Sequence, residues 1–267
     1  MVSHDQSPSA VPAVVFDFLN GPNCWDGQSD VLDIAPDLTY DQAYLAQFEA
    51  KRRDAGANGP IIGYQASLTS EEAKRWGPPD MPKPNIGTLQ LRNWRDPSLP
   101  FSSAANCLVE CEVAMRMGAP LKGMAVTAPE ARKAVASLEA AFEVVQLKPG
   151  MAQRSGQHLI ATHNAGSSIV LSGNRKSPDM DLVTEPVELI IDGARVAQSV
   201  AGGSGGDPFL VLAEIANTLG RYGLGLEAGM IVMTGSSIMP HPLPPGTRRV
   251  EGRFGRLGAL DISFAQG

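Results

Sequence analysis

Two glutamates one residue apart lie in an apolar run, Leu108-Val109-Glu110-Cys111-Glu112-Val113-Ala114-Met115. Such a run suits a β-strand, whose side chains point to opposite faces with period two. Glu110 and Glu112 then share one face, roughly 7 Å apart, while Val109, Cys111, Val113 and Met115 take the other. Two carboxylates placed this way can converge on a hard cation if a third oxygen ligand joins them. A strand with one solvated face shows the same pattern. Glu143 sits in a second apolar stretch, Ala140-Ala141-Phe142-Glu143-Val144-Val145. An acid there is expensive to bury without a partner or a metal, unless it is a surface residue at a strand end. His158 and His163 lie close together in the sequence and could act as bases, although a lone histidine is more often structural.

Other chemistries find less support. The glycine-rich run Gly202-Gly203-Ser204-Gly205-Gly206 precedes a helix and could cradle an anion, but it lacks Gly-x-Gly-x-x-Gly spacing and a Lys-Ser/Thr pair, so a turn accounts for it better. No Gly-x-Ser-x-Gly elbow is present. The net charge is −6, and the adjacent Arg248 and Arg249 do not make a basic patch, so nucleic acid is not an expected partner. No stretch approaches the ~18 to 20 apolar residues that span a bilayer, and no basic-then-apolar leader opens the chain. Three cysteines, Cys24, Cys107 and Cys111, form no Cys-x-x-Cys pair and suit a reducing compartment. A cytoplasmic protein is expected.

The elements that must position these residues can be sketched from periodicity and end signals. Ala13 to Leu19 reads as a short helix. Thr39-Tyr40-Asp41-Gln42 fits a capping box for a helix reaching about Arg53. Thr127 caps a helix from Pro129 to about Leu138, and Ala140 to Leu147 follows as a strand. Further strands are expected at Ile169 to Leu171, Val187 to Ile191 and Arg195 to Val200, the last two joined through an Asp192-Gly193 hairpin turn. Asp207-Pro208 starts a helix to about Tyr222. Strand-like runs then recur at Ile231 to Met233, Arg249 to Phe254 and Leu260 to Phe264. Strands clustered late, with few helices, predict a β-rich α+β fold. An N-terminal helical cap region, 1–100, and a β-rich metal-binding catalytic core, 101–267, are expected to form one compact unit.

Several segments, in order from Leu38 to Phe264, resemble the hydratase and decarboxylase branch of the fumarylacetoacetate hydrolase superfamily. Ile62-Gly63-Tyr64-Gln65-Ala66-Ser67-Leu68-Thr69-Ser70 is similar to its Gly-x-Lys-x-Gly/Ala-Leu-Thr-Ser motif, and Pro84-Asn85-Ile86-Gly87-Thr88-Leu89 to its Pro-Asp-Phe/Tyr-Gly-x-Leu segment. Glu110-Cys111-Glu112 and Glu143 fall where that family has three metal carboxylates. His163-Asn164-Ala165 matches Asp-Asn-Ala, and Ala228-Gly229 through Thr234 and Gly235 matches a later segment. The resemblance implies a mixed sheet roll with peripheral helices, and Mg²⁺ or Mn²⁺ on Glu110, Glu112 and Glu143. It also implies lyase chemistry, hydration or decarboxylation, on a small 2-oxo or 2-hydroxydienoic acid, of the kind met in aromatic catabolism. A C–C hydrolase or tautomerase, or a non-catalytic partner subunit, are the alternatives. Ser67, Leu68, Asn164 and Ser167 are the implied substrate-binding residues.

The departures are specific. Gln65 stands at a lysine position, Asn85 and His163 at aspartate positions, and Gln146 and Lys148 in place of an Asp-Ser-Arg pattern. Gln65 and Asn85 are therefore expected to line the site, and His163 to carry the proton. A homo-oligomer, or a complex with a pathway enzyme, is expected.

Overall fold

The structure is a computed structural model. It describes residues 10–21, 24, 26–163 and 167–265. In chain order, the helices α1 (Ala13–Asn20), α2 (Val31–Ile34), α3 (Tyr40–Arg53) and α4 (Ala55–Asn58) precede strands β1 (Ile61–Ser67), β2 (Asn85–Gln90), β3 (Trp94–Arg95) and β4 (Cys107–Met117). Next come α5 (Ala128–Ala134), β5 (Val135–Gln146), α6 (Gly156–Thr162), β6 (Ser167–Leu171), β7 (Pro186–Ile191) and β8 (Ala194–Val200). The chain closes with α7 (Pro208–Arg221), β9 (Ile231–Ser236), β10 (His241–Pro242), β11 (Arg249–Arg253) and β12 (Ala259–Ser263).

The strands form two sheets. The larger is eight-stranded and mixed, in the order β2-β1-β9-β4-β5-β6-β3 with β10 also pairing β4; the smaller runs β12-β11-β7-β8. β1 is parallel to β9, and β3 to β6. The long antiparallel pair β4–β5 divides the interior. On one face Cys111 and Phe142, paired across the ladder, join the main core. Phe142 lies 6.3 Å from Phe254, and a side chain at Gly252 would collide with both rings, so glycine lets the two sheets close on each other. On the other face, beside the glutamates, Ala114, Ala141, Ile169 and Met233 make a second, smaller apolar cluster.

The capping box on α3 is present: Thr39 Oγ1 accepts from Gln42 N at 3.2 Å and Gln42 Oε1 from Thr39 N at 3.0 Å. That helix is fixed to the sheet by buried Gln47. Its Nε2 donates to the Ile160 and Ile86 carbonyls, and its Oε1 accepts from Thr88 N and Oγ1. The Asp192-Gly193 turn also forms, with φ of 47° and 87°. Asp207 caps α7 by accepting from Phe209 N.

Two expectations differ from the structure. The helix foreseen to about Leu138 ends at Ala134, because Val135 onward pairs with the C-terminal half of β4. The main sheet also crosses the boundary set at residue 100: β1 and β2, from the expected cap region, join it through β9. Among the described residues, no helix is long and apolar enough to cross a membrane.

Candidate metal and substrate site

The pairing of β4 with β5 brings the three glutamates together. Glu110 and Glu143 sit directly opposite each other in the antiparallel register, so their side chains leave the sheet on the same face, and Glu112 follows two residues on. One carboxylate oxygen from each lies within 4.8 Å of the other two. Glu112 and Glu143 are buried; Glu110 is half-buried and lines a cavity of about 440 Å³.

Two of the three carboxylates, Glu143 and Glu112, have a defined support. Gln65 Nε2 donates to Glu143 Oε1 at 2.8 Å, and the Ser167 hydroxyl bonds the same carboxylate. The backbone N–H of Gly235 donates to Glu112 Oε2 at 2.8 Å. It can do so because the β4–β9 register shifts between Glu112 and Ala114. Gly235 has a φ of 89°, and a side chain there would strike the Thr69 hydroxyl.

Burial, followed by repulsion from Glu143, pushes Glu110 well above the usual carboxylate range. Glu112 is raised by burial, then by Glu143 and Glu110. Glu143 is raised by burial, against the hydrogen bonds from Gln65, Ser167 and Glu112. Three carboxylates this close and this dry need either protons or a cation between them. An all-oxygen donor set suits a hard divalent cation, so the residues present fit the implied metal.

Of the expected substrate-binding residues, Ser67 and Leu68 line the cavity with Glu110, and so does Asn85, expected as a catalytic residue. Ser67 and Asn85 are paired across β1 and β2. The Tyr44 hydroxyl accepts from Ile86 N and donates to Asn85 Oδ1 at 3.5 Å, which orients the amide. Ser167 reaches Glu143 and lines a different cavity. Asn164 lies outside the described residues. Gln65 touches the site through Glu143 and is not a cavity-lining residue.

His163 is placed differently from the expected proton carrier. It ends α6 with a φ of 30°, and its ring fills the space that a side chain at Gly87 would occupy. Neither ring nitrogen has a partner among the described residues. Burial, and then the charge of Lys51, pushes its pKa down to about 3. The ring is therefore neutral at physiological pH and does not line the cavity that Glu110 faces. The sequence reading missed Tyr44 and the Gly235 N–H. The Thr234-Gly235 match was the available signal for the second.

No family model matches the chain. It is 23% identical over 242 residues to the 2-hydroxyhexa-2,4-dienoate hydratase of Comamonas testosteroni, covering 88% of this chain and 89% of that protein. It is 26% identical over 238 residues to the 4-oxalocrotonate decarboxylase of Pseudomonas putida, covering 86% and 87%. Its fold is similar to that of the 4-oxalocrotonate decarboxylase from Pseudomonas putida G7 complexed with magnesium and adipate, with a TM-score of 0.82, 22% identity and coverage of 94% and 96%. The fumarylacetoacetate hydrolase of Exiguobacterium antarcticum is similar in fold over 78% of this chain and 76% of its own, at a TM-score of 0.57 and 15% identity. In sequence the chain is similar to hydratases and decarboxylases of dienoic and oxo acids, and in fold it is similar to solved proteins that include a fumarylacetoacetate hydrolase. This chain has a carboxylate trio with amides, Gln65 and Asn85, beside it.

Proposed function

We propose that the chain is a metal-dependent lyase, a hydratase or decarboxylase, acting on a small 2-oxo acid or its 2-hydroxydienoic enol. The observation that carries this reading is the convergence of Glu110, Glu112 and Glu143 within 4.8 Å beside a cavity of ligand size. These residues would hold Mg²⁺ or Mn²⁺. When bound, the cation supplies Lewis acidity toward the acid's carboxylate and adjacent oxygen, favouring negative charge there.

The chain's own residues supply position. Glu110 faces the cavity, so the acid head of the substrate belongs at that end. Asn85 and Ser67 offer it hydrogen bonds from the paired ends of β2 and β1. Gln65 and the Gly235 N–H hold Glu143 and Glu112 in place. An amide takes up no proton near neutrality, so Gln65 and Asn85 orient rather than transfer. The expected cytoplasmic location and homo-oligomeric state stand with this proposal.

The test is turnover of the relatives' acids by the purified chain, following loss of the dienol absorbance and release of CO₂. Turnover of about 1 to 10³ per second that EDTA abolishes and Mg²⁺ restores is the expected result. Simple 2-hydroxypenta-2,4-dienoate is expected to be a poor substrate, because the lysine position holds Gln65. A chain that binds metal and turns over none of these acids would contradict the lyase reading.

A further inference from the structure

The cavity beside Glu110 has a marked chemical asymmetry along its length. Leu108 and Val145 are paired across β4 and β5, on the same face as the Glu110–Glu143 pair and two residues from it. The strand rise puts them roughly 7 Å from the glutamates. Leu147 continues the line, with its N–H on the Asn106 carbonyl, and is 41% exposed at the outer end. Met81, Met151 and Leu159 line the same cavity, and Trp76 does so while 59% exposed.

Among the described residues, no lysine, arginine or histidine lines this cavity. Lys83 lies behind the cavity wall at Gly77, with its ammonium on the Gly77 carbonyl at 3.3 Å. Lys148, next to Leu147, lines a separate cavity with Lys51 and Arg92. One carboxylate can be held at the glutamate end. A second, carried to the far end, would meet apolar side chains and lose its water without gaining a cation.

We propose that this site selects monocarboxylic 2-oxo or 2-hydroxydienoic acids with an apolar alkyl or aryl tail and rejects the corresponding diacids. The proposal rests on the lyase reading for the head of the substrate and adds the identity of its tail. The tail lies along Leu108, Val145 and Leu147, and the rim is closed by Trp76.

The test is calorimetric titration of the Mg²⁺-loaded full chain with 2-oxohexanoate and with 2-oxohexanedioate, which differ only in the terminal group. The monoacid is expected to bind at least about 30-fold more tightly. Leu147→Arg, at a partly exposed position that tolerates a charge, is expected to narrow that preference at least about 5-fold by pairing the second carboxylate. Equal or tighter binding of the diacid by the wild-type chain would overturn the proposal and leave the lyase reading standing. An unchanged preference in Leu147→Arg would also overturn it, since the tail would then lie elsewhere. Binding of neither acid would overturn the lyase reading, and this proposal with it.

Discussion

At the scale of the residue, the site depends on groups that do no chemistry themselves. Gln65 is buried and spends its NH₂ on Glu143, while its Oε1 has no partner among the described residues. That imbalance is tolerable if the donated hydrogen bond fixes a metal carboxylate, because partners one step removed from a metal set the orientation of its ligands. Gln65→Leu should therefore lower Mg²⁺ affinity about 10- to 100-fold with the fold intact, as read by calorimetry and circular dichroism. Unchanged affinity would show that Glu143 does not need the amide. The Glu110–Glu112 spacing was legible in the sequence because alternation is local. The Gly235 N–H was not, because a backbone donor has no residue type to read and its aim depends on a register shift with β4.

At the scale of the element, legibility followed burial. β4 could be read from its acids, and β7 and β8 from the turn between them. β1 and β2 carry no period-two signal, because β2 is buried throughout and β1 across its middle. Each also has a glycine where another chain segment presses in: Gly63 against the Ile231 carbonyl, and Gly87 under His163. Their place came only from the resemblance. Pairing of Glu143 opposite Glu110 is a long-range register that no local pattern specifies. What holds α3 and α6 on β2 is the fully bonded Gln47 amide. Gln47→Leu would take the amide partner from the buried Ile86 carbonyl and Thr88 N–H, at about 1–3 kcal/mol each, while the Ile160 carbonyl keeps the His163 N–H. A loss of roughly 2–4 kcal/mol in urea unfolding is expected. A loss under about 0.5 kcal/mol would mean that the amide contributes little.

At the scale of the whole molecule, the three glutamates couple stability to pH and metal. Their folded-state values are raised above the ordinary glutamate value, about 4.3 in an unfolded chain. Between that value and the raised ones the folded chain binds more protons than the unfolded chain, so stability falls as pH rises. The buried His163 opposes this below ~6.5, so the metal-free protein should lose melting temperature as pH rises above ~6.5. Saturating Mg²⁺ should restore it by binding the deprotonated trio, with a larger shift at pH 8 than at pH 5. A shift independent of pH would separate the metal from these carboxylates.

The central claim is that Glu110, Glu112 and Glu143 together hold one divalent cation, and equilibrium dialysis with elemental analysis measures this without any substrate. The wild-type chain is expected to retain one Mg²⁺ or Mn²⁺ per chain, and Glu110→Ala to retain none while still folding. Wild-type affinity in Glu110→Ala, or no bound metal in the wild-type chain, would contradict the account.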